Sequence, residues 1–279
     1  MKAYRYFHTE YISLGTSKAT LLGLLCAISL WFFGPRTALS QNSVQRDQQA
    51  ITILTQTIAA GGGQQALAAI QDFTETGTIT YNFADPVTGN ITVKSRGLHR
   101  FRIDADLPEG KRSTVVNGDG GSLTQTNGRV RLIHRQNAHD LGSFTLPYLP
   151  LIASIRDSTT SIIYFGLVTH DGAPKYYIQL QKVYARLQDS TGNRGAKEVR
   201  DYYIDPTTSL VTSVSERISL GRARDAGITR EDFYSHYQPE NGIMMPLTIA
   251  ETVQGVPGFT MTLSQVTFNS GLADSDFTW

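Results

Sequence analysis

Residues 245–277 read MPLTIAETVQGVPGFTMTLSQVTFNSGLADSDF. In Met245, Leu247, Ile249 and Val253 apolar side chains recur on a period of two, while Thr248, Thr252 and Gln254 face the other way. Phe259, Met261 and Leu263 repeat the pattern against Thr260, Thr262 and Ser264. Only an extended chain puts alternate residues on one side, so this stretch specifies neighbouring strands with one apolar and one polar face.

The same grammar extends toward the N-terminus. Val199–Ile204 and Leu210–Ile218 flank Asp205-Pro206-Thr207-Thr208, where proline fixes φ and the polar residues favour a turn. Phe233–Tyr237 and Met245–Val253 flank Pro239-Glu240-Asn241-Gly242, whose Asn-Gly pair accepts positive φ. Further strands are expected at Phe73–Phe83, Ile91–Ile103, Lys111–Val116, Ser122–Thr126, Arg129–His134, Ser161–Thr169 and Lys175–Leu187. Asp85-Pro86, Pro108-Glu109-Gly110, Asn117-Gly118 and Asn127-Gly128 separate the earlier ones as turns. Short strands so spaced describe one meandering antiparallel sheet.

Two segments break the pattern. Ser43–Ile70 carries Ala50, Ile53, Leu54, Ile58, Ala66, Leu67 and Ile70 at helical spacing, divided into two helices by Gly61-Gly62-Gly63. The glycines follow a helix rather than a strand and no Gly-Lys-Ser/Thr comes after them, so they are read as a helix C-cap and not a phosphate cradle. Asp140–Ile155 crowds Phe144, Leu146, Tyr148, Leu149, Leu151, Ile152 and Ile155 around Pro147 and Pro150, as one or two short helices or an apolar loop. A sheet with one apolar face must be covered, and these two segments are the covers the sequence offers. Tight packing would make a core; a hinge at Pro147 and Pro150 would make a lid over a site. The candidate lining is Tyr237, Leu247, Phe259 and Met261 on strands with Leu146, Tyr148 and Leu151 on the insertion.

This order of elements, with Tyr203-Ile204-Asp205-Pro206 through Leu210, Gly242–Pro246 and Val266–Phe277 closing on Asn-x-Gly-Leu-x-Asp-x-Asp-Phe, resembles the LolA/LolB lipoprotein carriers and the wider LppX/RseB-type set. The resemblance implies an α+β fold: a strongly bent, unclosed antiparallel β-barrel, here of about ten or eleven strands, with helices covering its concave face over an apolar cavity. It implies a non-enzymatic binding protein for a lipid, a lipoprotein acyl chain or another apolar ligand, with no cofactor and with peripheral membrane contact. The alternative is an envelope interaction or sensor module that keeps the fold with a filled core and binds a protein partner. The carriers hold their closed state with a specific arginine; motif alone selects none among Arg100, Arg102, Arg129 and Arg131. Arg217, Arg222, Arg224 and Arg230 are read as a solvated loop between strands.

The front of the chain sets the expected compartment. Lys2, Arg5 and Lys18 precede an uncharged run from Ala19 to Phe33, then Gly34-Pro35 and the small residues of Ala38-Leu39-Ser40. This is the layout of a signal peptide over 1–40, cleaved before Gln41, leaving 41–279 as a single periplasmic domain. The apolar run is shorter than the roughly twenty residues that span a bilayer. Cys26, the single cysteine, lies in mid-run after Leu25, which fits no lipoprotein site and leaves 41–279 without thiol or disulfide chemistry. Residues 41–279 hold 21 Lys+Arg against 23 Asp+Glu, a net charge of −2, with no basic excess to recruit nucleic acid.

Catalytic patterns are weak. His99, His134, His139, His170 and His236 are scattered, and His134/His139 with Asp140 match no usual zinc spacing. There is no Gly-x-Ser-x-Gly elbow. Asp104/Asp106 and Asp274/Asp276 alternate as an acid–base pair could, but carboxylates near turns are ordinarily solvated.

Overall fold

The computed structural model describes residues 44–82, 85–118, 120–133, 138, 144–188, 194–218 and 228–279. The expected signal peptide, His134, His139, Asp140, Arg222 and Arg224 lie outside the described residues.

The chain folds into a helix pair, α1 (Gln48–Ala60) and α2 (Gln64–Ala68), followed by six strands: β1 (Asp72–Tyr81), β2 (Val87–Arg96), β3 (Arg100–Leu107), β4 (Gly110–Asn117), β5 (Gly121–Thr124) and β6 (Val130–Ile133). A third helix, α3 (Tyr148–Arg156), leads into β7 (Ser161–His170), β8 (Ala173–Gln188), β9 (Arg194–Ile204), β10 (Val211–Ile218), β11 (Ile228–Glu240), β12 (Ile243–Val253) and β13 (Val256–Phe268). All the pairings are antiparallel, in one sheet of order β6-β5-β4-β3-β2-β1-β13-β12-β11-β10-β9-β8-β7. β6 and β7 stand at opposite edges, so the sheet is unclosed. Two meanders, β1–β6 and β7–β13, are joined through β1 against β13, from Phe73↔Phe268 to Tyr81↔Phe259.

Among the described residues the sheet has 13 strands, not ten or eleven. Much of the difference comes from Ile91–Ile103, expected as one strand: Gly97 takes φ +62, a left-handed conformation that starts a turn, so the segment doubles back as β2 and β3. Asn-Gly behaves as expected. Asn241-Gly242 turns at φ +50 and +82, and Asp171-Gly172 and Gln254-Gly255 do the same, giving tight two-residue hairpins whose twist suits the flanking strands.

The apolar face is real. Met245, Ile249 and Met261 are fully buried, and Leu263 nearly so, while Thr262 and Ser264 are exposed. After Leu263 a bulge skips one residue, since Thr76 pairs with Gln265 and Gly77 with Leu263, and burial resumes one position late at Val266. Ala50, Ile53, Leu54 and Ile58 of α1, Leu67 of α2, and Tyr148, Leu151 and Ile152 of α3 join the same core cluster. The triple glycine caps α1 as expected: the Gly63 amide donates to the Ile58 carbonyl at 2.9 Å and the Gly62 amide to that of Ala59 at 3.2 Å. Ahead of α1, residues 45–47 pair with the β7 edge; the Ile162 amide donates to the Gln45 carbonyl (2.7 Å) and the Asp47 amide to the Ile162 carbonyl (2.9 Å).

The closing motif is a structural staple. Buried Asp72, the first residue of β1, accepts from the Ser270 amide (2.6 Å), the Ser270 hydroxyl (2.9 Å), and the amides of Gly271 (3.2 Å) and Leu272 (3.3 Å). Asn269, at φ +56, accepts from the Gln71 amide at 2.7 Å and donates to the Ala69 carbonyl at 3.2 Å. Asp274 pairs with Arg96 and Arg100, and Asp276 with Lys94. This seats Phe277 in full burial, while Trp279 stays half exposed. Asp72→Ala should therefore lower unfolding free energy by about 2–3 kcal/mol. Hydrogen exchange of the Ser270–Leu272 amides should speed up with it; unchanged protection there would contradict the staple.

Candidate functional site

Because β6 and β7 lie at opposite edges, the segment between them has to cross the sheet. A flat sheet of this width would measure roughly 55–60 Å at about 4.8 Å per strand. The crossing segment buries Ala138, Leu146, Tyr148 and Leu151 and contains α3. Pro150 sits in the first turn of α3, where backbone N–H groups have no intrahelical partner, so the helix tolerates it.

Helical geometry then sorts the insertion into two faces. Tyr148, Leu151 and Ile152 are buried, and α3 touches α1 and α2. The Tyr148 ring packs so closely on Gly61 that a β-carbon there would stand 2.7 Å from it. Pro147, Pro150, Ala153, Ser154 and Asp157 occupy another face and line a cavity of about 150 Å³. The other wall is the inward face of β8–β11.

That wall is charged where an apolar one was expected. Across the strands, Leu180 stands opposite Arg200, Arg200 opposite Glu216, and Glu216 opposite Arg230. The next inward row runs Tyr202, Val214, Asp232 and Glu251. Arg200 Nε lies 3.1 Å from Glu216 Oε2 and its Nη2 3.0 Å from Glu198 Oε1; Arg230 pairs with Glu216 through Nη2, and its Nε is 3.4 Å from Asp232 Oδ2. Arg230, Glu216 and Asp232 are all buried. Arg230 is thus no loop residue. It belongs to β11 and shares the inward phase of Asp232 and Tyr234; Arg217 is exposed as expected but lies on β10, not in a loop.

Phe144 ties the crossing segment to the sheet. Its ring meets Phe101 edge-on at 6.0 Å and Phe259 at 6.1 Å, the Arg230 guanidinium lies 5.6 Å from its centroid, and the Tyr234 hydroxyl donates to its carbonyl at 2.9 Å. At the other end, the C-terminus of α3 exposes carbonyls with no intrahelical partner. Arg46 supplies the donors: Nη1 to the carbonyls of Ser154 (3.4 Å), Asp157 (2.9 Å) and Thr160 (2.9 Å), and Nη2 to that of Ile155 (2.6 Å). A cation there also complements the helix dipole. Nothing in the local sequence marks Arg46, since its partners lie more than one hundred residues away. Arg100 and Arg102 are engaged with Asp274 and Asp104.

The seven candidate lining residues occupy the core around this cavity, and none is on its wall. Leu146, Tyr148, Leu151 and Met261 are fully buried, Phe259 nearly so; Tyr237 and Leu247 are partly buried against the same cluster. Tyr237 donates its hydroxyl to the Val211 carbonyl at 2.7 Å. Periodicity identified the apolar residues correctly, and apolar residues pack together; on α3 the cavity falls to the Pro147–Pro150–Ala153 face, and on the sheet to charged members of the inward face. Of the carboxylate pairs, Asp104 accepts from Arg102 at 2.7 Å and Ser113 at 2.6 Å, and Asp274 and Asp276 hold the cations of the staple. His170 stacks on Tyr203 and contacts Glu231 at 2.6 Å. Among the described residues no group of three or more His, Cys, Asp or Glu side chains could hold a metal ion.

One buried acid stands out. Glu75, fully buried on β1, has only Thr145 as a polar neighbour that favours its charge, and burial pushes its carboxyl up to about 8.

No protein-family model and no curated protein sequence matches the chain. Solved structures do. A domain described as an outer membrane lipoprotein-sorting protein from Vibrio parahaemolyticus matches at 14% identity and TM-score 0.52. A DUF1329 family protein from Desulfovibrio piger matches at 12% and 0.53, and the LolA superfamily protein NE2245 from Nitrosomonas europaea at 12% and 0.50. Each alignment covers 82% of this chain and 97% of the other. The chain shares the fold of these structures, a LolA superfamily protein among them.

Glu75 predicts a pH dependence. Unfolded, its carboxyl ionises near 4.3, while in the fold it keeps its proton to about 8, so between these values the folded state binds more protons and stability falls as pH rises. The fall can reach about 1.4 kcal/mol per pH unit. Below this window the trend reverses, because Asp104, Asp157 and Asp205 are held below the usual carboxylate range by Arg102, Lys182 and Lys175 among their partners, and lose that support on protonation. Thermal melts of Glu75→Gln should make the decline between pH 5 and 8 shallower, the part that remains coming from the raised carboxyl of buried Asp232; an unchanged slope would show that Glu75 does not contribute.

Proposed function

We propose that the chain is an exported, non-enzymatic periplasmic protein that holds a lipid, a lipoprotein acyl chain or another apolar ligand between the concave face of its bent sheet and a helical lid formed by α3. The observation that carries this is a helix laid over a cavity, its C-terminal carbonyls gathered by one guanidinium, Arg46. Four backbone carbonyls converge on Arg46, two in the last turn of α3 and two just after it, so one side chain ties down this end together with the Lys182–Asp157 ion pair (2.8 Å). Arg46 plays the part that the LolA/LolB resemblance assigned to an arginine without identifying it. Two solved structures of this fold bear descriptions as a lipoprotein-sorting protein and a LolA superfamily protein, which supports the same kind of activity.

A cavity of about 150 Å³ is smaller than the roughly 300–1,000 Å³ of ordinary ligand pockets. A long acyl chain therefore requires α3 to lift. Lifting would uncover Leu146, Tyr148 and Leu151 on the lid side and Phe259, Met261, Tyr237 and Leu247 on the sheet side, the residues proposed to take the chain at about 0.8 kcal/mol per buried methylene. Delivery to or from a membrane surface or an acylated protein would follow from the same motion.

Native mass spectrometry of protein purified from its own envelope should show a lipid-sized adduct that organic extraction removes; consistently empty protein would overturn the carrier reading. Hydrogen exchange tests the latch separately. Arg46→Ala loses charge-assisted hydrogen bonds worth about 1.5–3 kcal/mol, so the amides of α3 should exchange about 10- to 100-fold faster while those of β12 and β13 do not change.

The closed packing of the seven core residues favours one other reading, an interaction or sensor module with a filled core. In that case Leu247→Ala and Met261→Ala would lower stability by about 2–5 kcal/mol without altering any lipid adduct, and the ligand would be a protein.

A further inference from the structure

The charged wall of the cavity is not neutral. Glu198, Glu216 and Asp232 bring three carboxylates against two guanidinium groups, Arg200 and Arg230, within the cavity lining. Lys182 and Asp157, also on the lining, pair with each other at 2.8 Å. The next residue along the Asp232 row is another acid, Glu251. Asp232 is 2% exposed, lines the cavity, and has an Oδ1 atom without a hydrogen-bond partner. A buried acceptor in that state costs free energy until a donor reaches it.

We propose, building on the carrier reading, that this end of the cavity binds the primary ammonium head of an amphiphile, with Asp232 as its acceptor. An ammonium brings three N–H donors and one positive charge, which meets both the orphan oxygen and the excess of carboxylate. Size agrees, since a cavity of about 150 Å³ takes a group of about six heavy atoms, a head group with its first carbons and no more. Phe144, Pro147 and Pro150 form the apolar part of the lining, where those first carbons would lie. A carboxylate or phosphate head would meet Asp232 and Glu216 directly, and the guanidinium groups that could answer it are already engaged with acids. Burial pushes the Asp232 carboxyl up to about 7 even beside Arg230, with Glu251 and Glu216 adding to the rise, consistent with negative charge that the pocket does not fully compensate.

The test is calorimetric titration at pH 8, with each amphiphile below its micelle concentration, using dodecylammonium, dodecyltrimethylammonium, dodecanoate and, as a tailless control, butylammonium. Dodecylammonium should bind at least about tenfold more tightly than dodecanoate or the trimethyl analogue, a margin of about 1.4 kcal/mol. Asp232→Asn, nearly isosteric, should bring the three dodecyl compounds to within about threefold of one another. If they bind the wild type equally, or dodecanoate binds best, the ammonium site is wrong and the carrier reading stands. If none of them binds, the carrier reading falls with it. Butylammonium binding as tightly as dodecylammonium would overturn the amphiphile in favour of a soluble amine. The wild-type comparison decides the matter even if Asp232→Asn fails to fold.

Discussion

Pairing of β1 with β13 is the constraint on which the rest of the molecule depends. Each meander alone would be an open sheet with an unprotected first or last strand, exposing a row of N–H and C=O groups. Joining the two through β1 and β13 places β6 and β7 at opposite edges. The chain must then travel from one edge to the other, and the economical path lies over the apolar face that already needs covering. The crossing segment and α3 follow from that topology. So does the staple at the end of β13, where Asp72, Asn269 and the 270–272 amides hold the junction.

The second organising element is charge in places that the apolar pattern would fill. Arg200, Glu216 and Arg230 face the inside as a row of alternating sign across three strands. Such a row is costly unless each group is matched, and removal of one member strands the others. A core built for stability alone would carry aliphatic residues here.

Much of the fold was legible from local patterns. Period-two alternation in Met245–Val253 and Phe259–Leu263 specified the one-sided sheet, Asn241-Gly242 its hairpin, and Gly61-Gly62-Gly63 the end of α1. These are short-range effects: side-chain direction along a strand, φ at a turn, and carbonyls left over at a helix end each depend on a few neighbouring residues. The doubling at Gly97 was missed because one glycine between two strand-like runs is a weak signal; its left-handed φ is visible only once the strands have paired.

The site divides in the same way. Sequence by itself determined which residues are apolar enough to be buried, and Leu146, Tyr148, Leu151, Phe259 and Met261 are buried. It could not say which of them meet a cavity, because packing draws the most apolar phase of α3 into the core and leaves the Pro147–Pro150–Ala153 phase facing the gap. Only tertiary structure brought Arg46 to the end of a helix more than one hundred residues distant, and set Asp232 inside with one oxygen unmatched. The physical reason is range: propensity and periodicity act over a turn or a strand, whereas a latch, an ion row and a cavity exist only between segments that the sheet has already placed side by side.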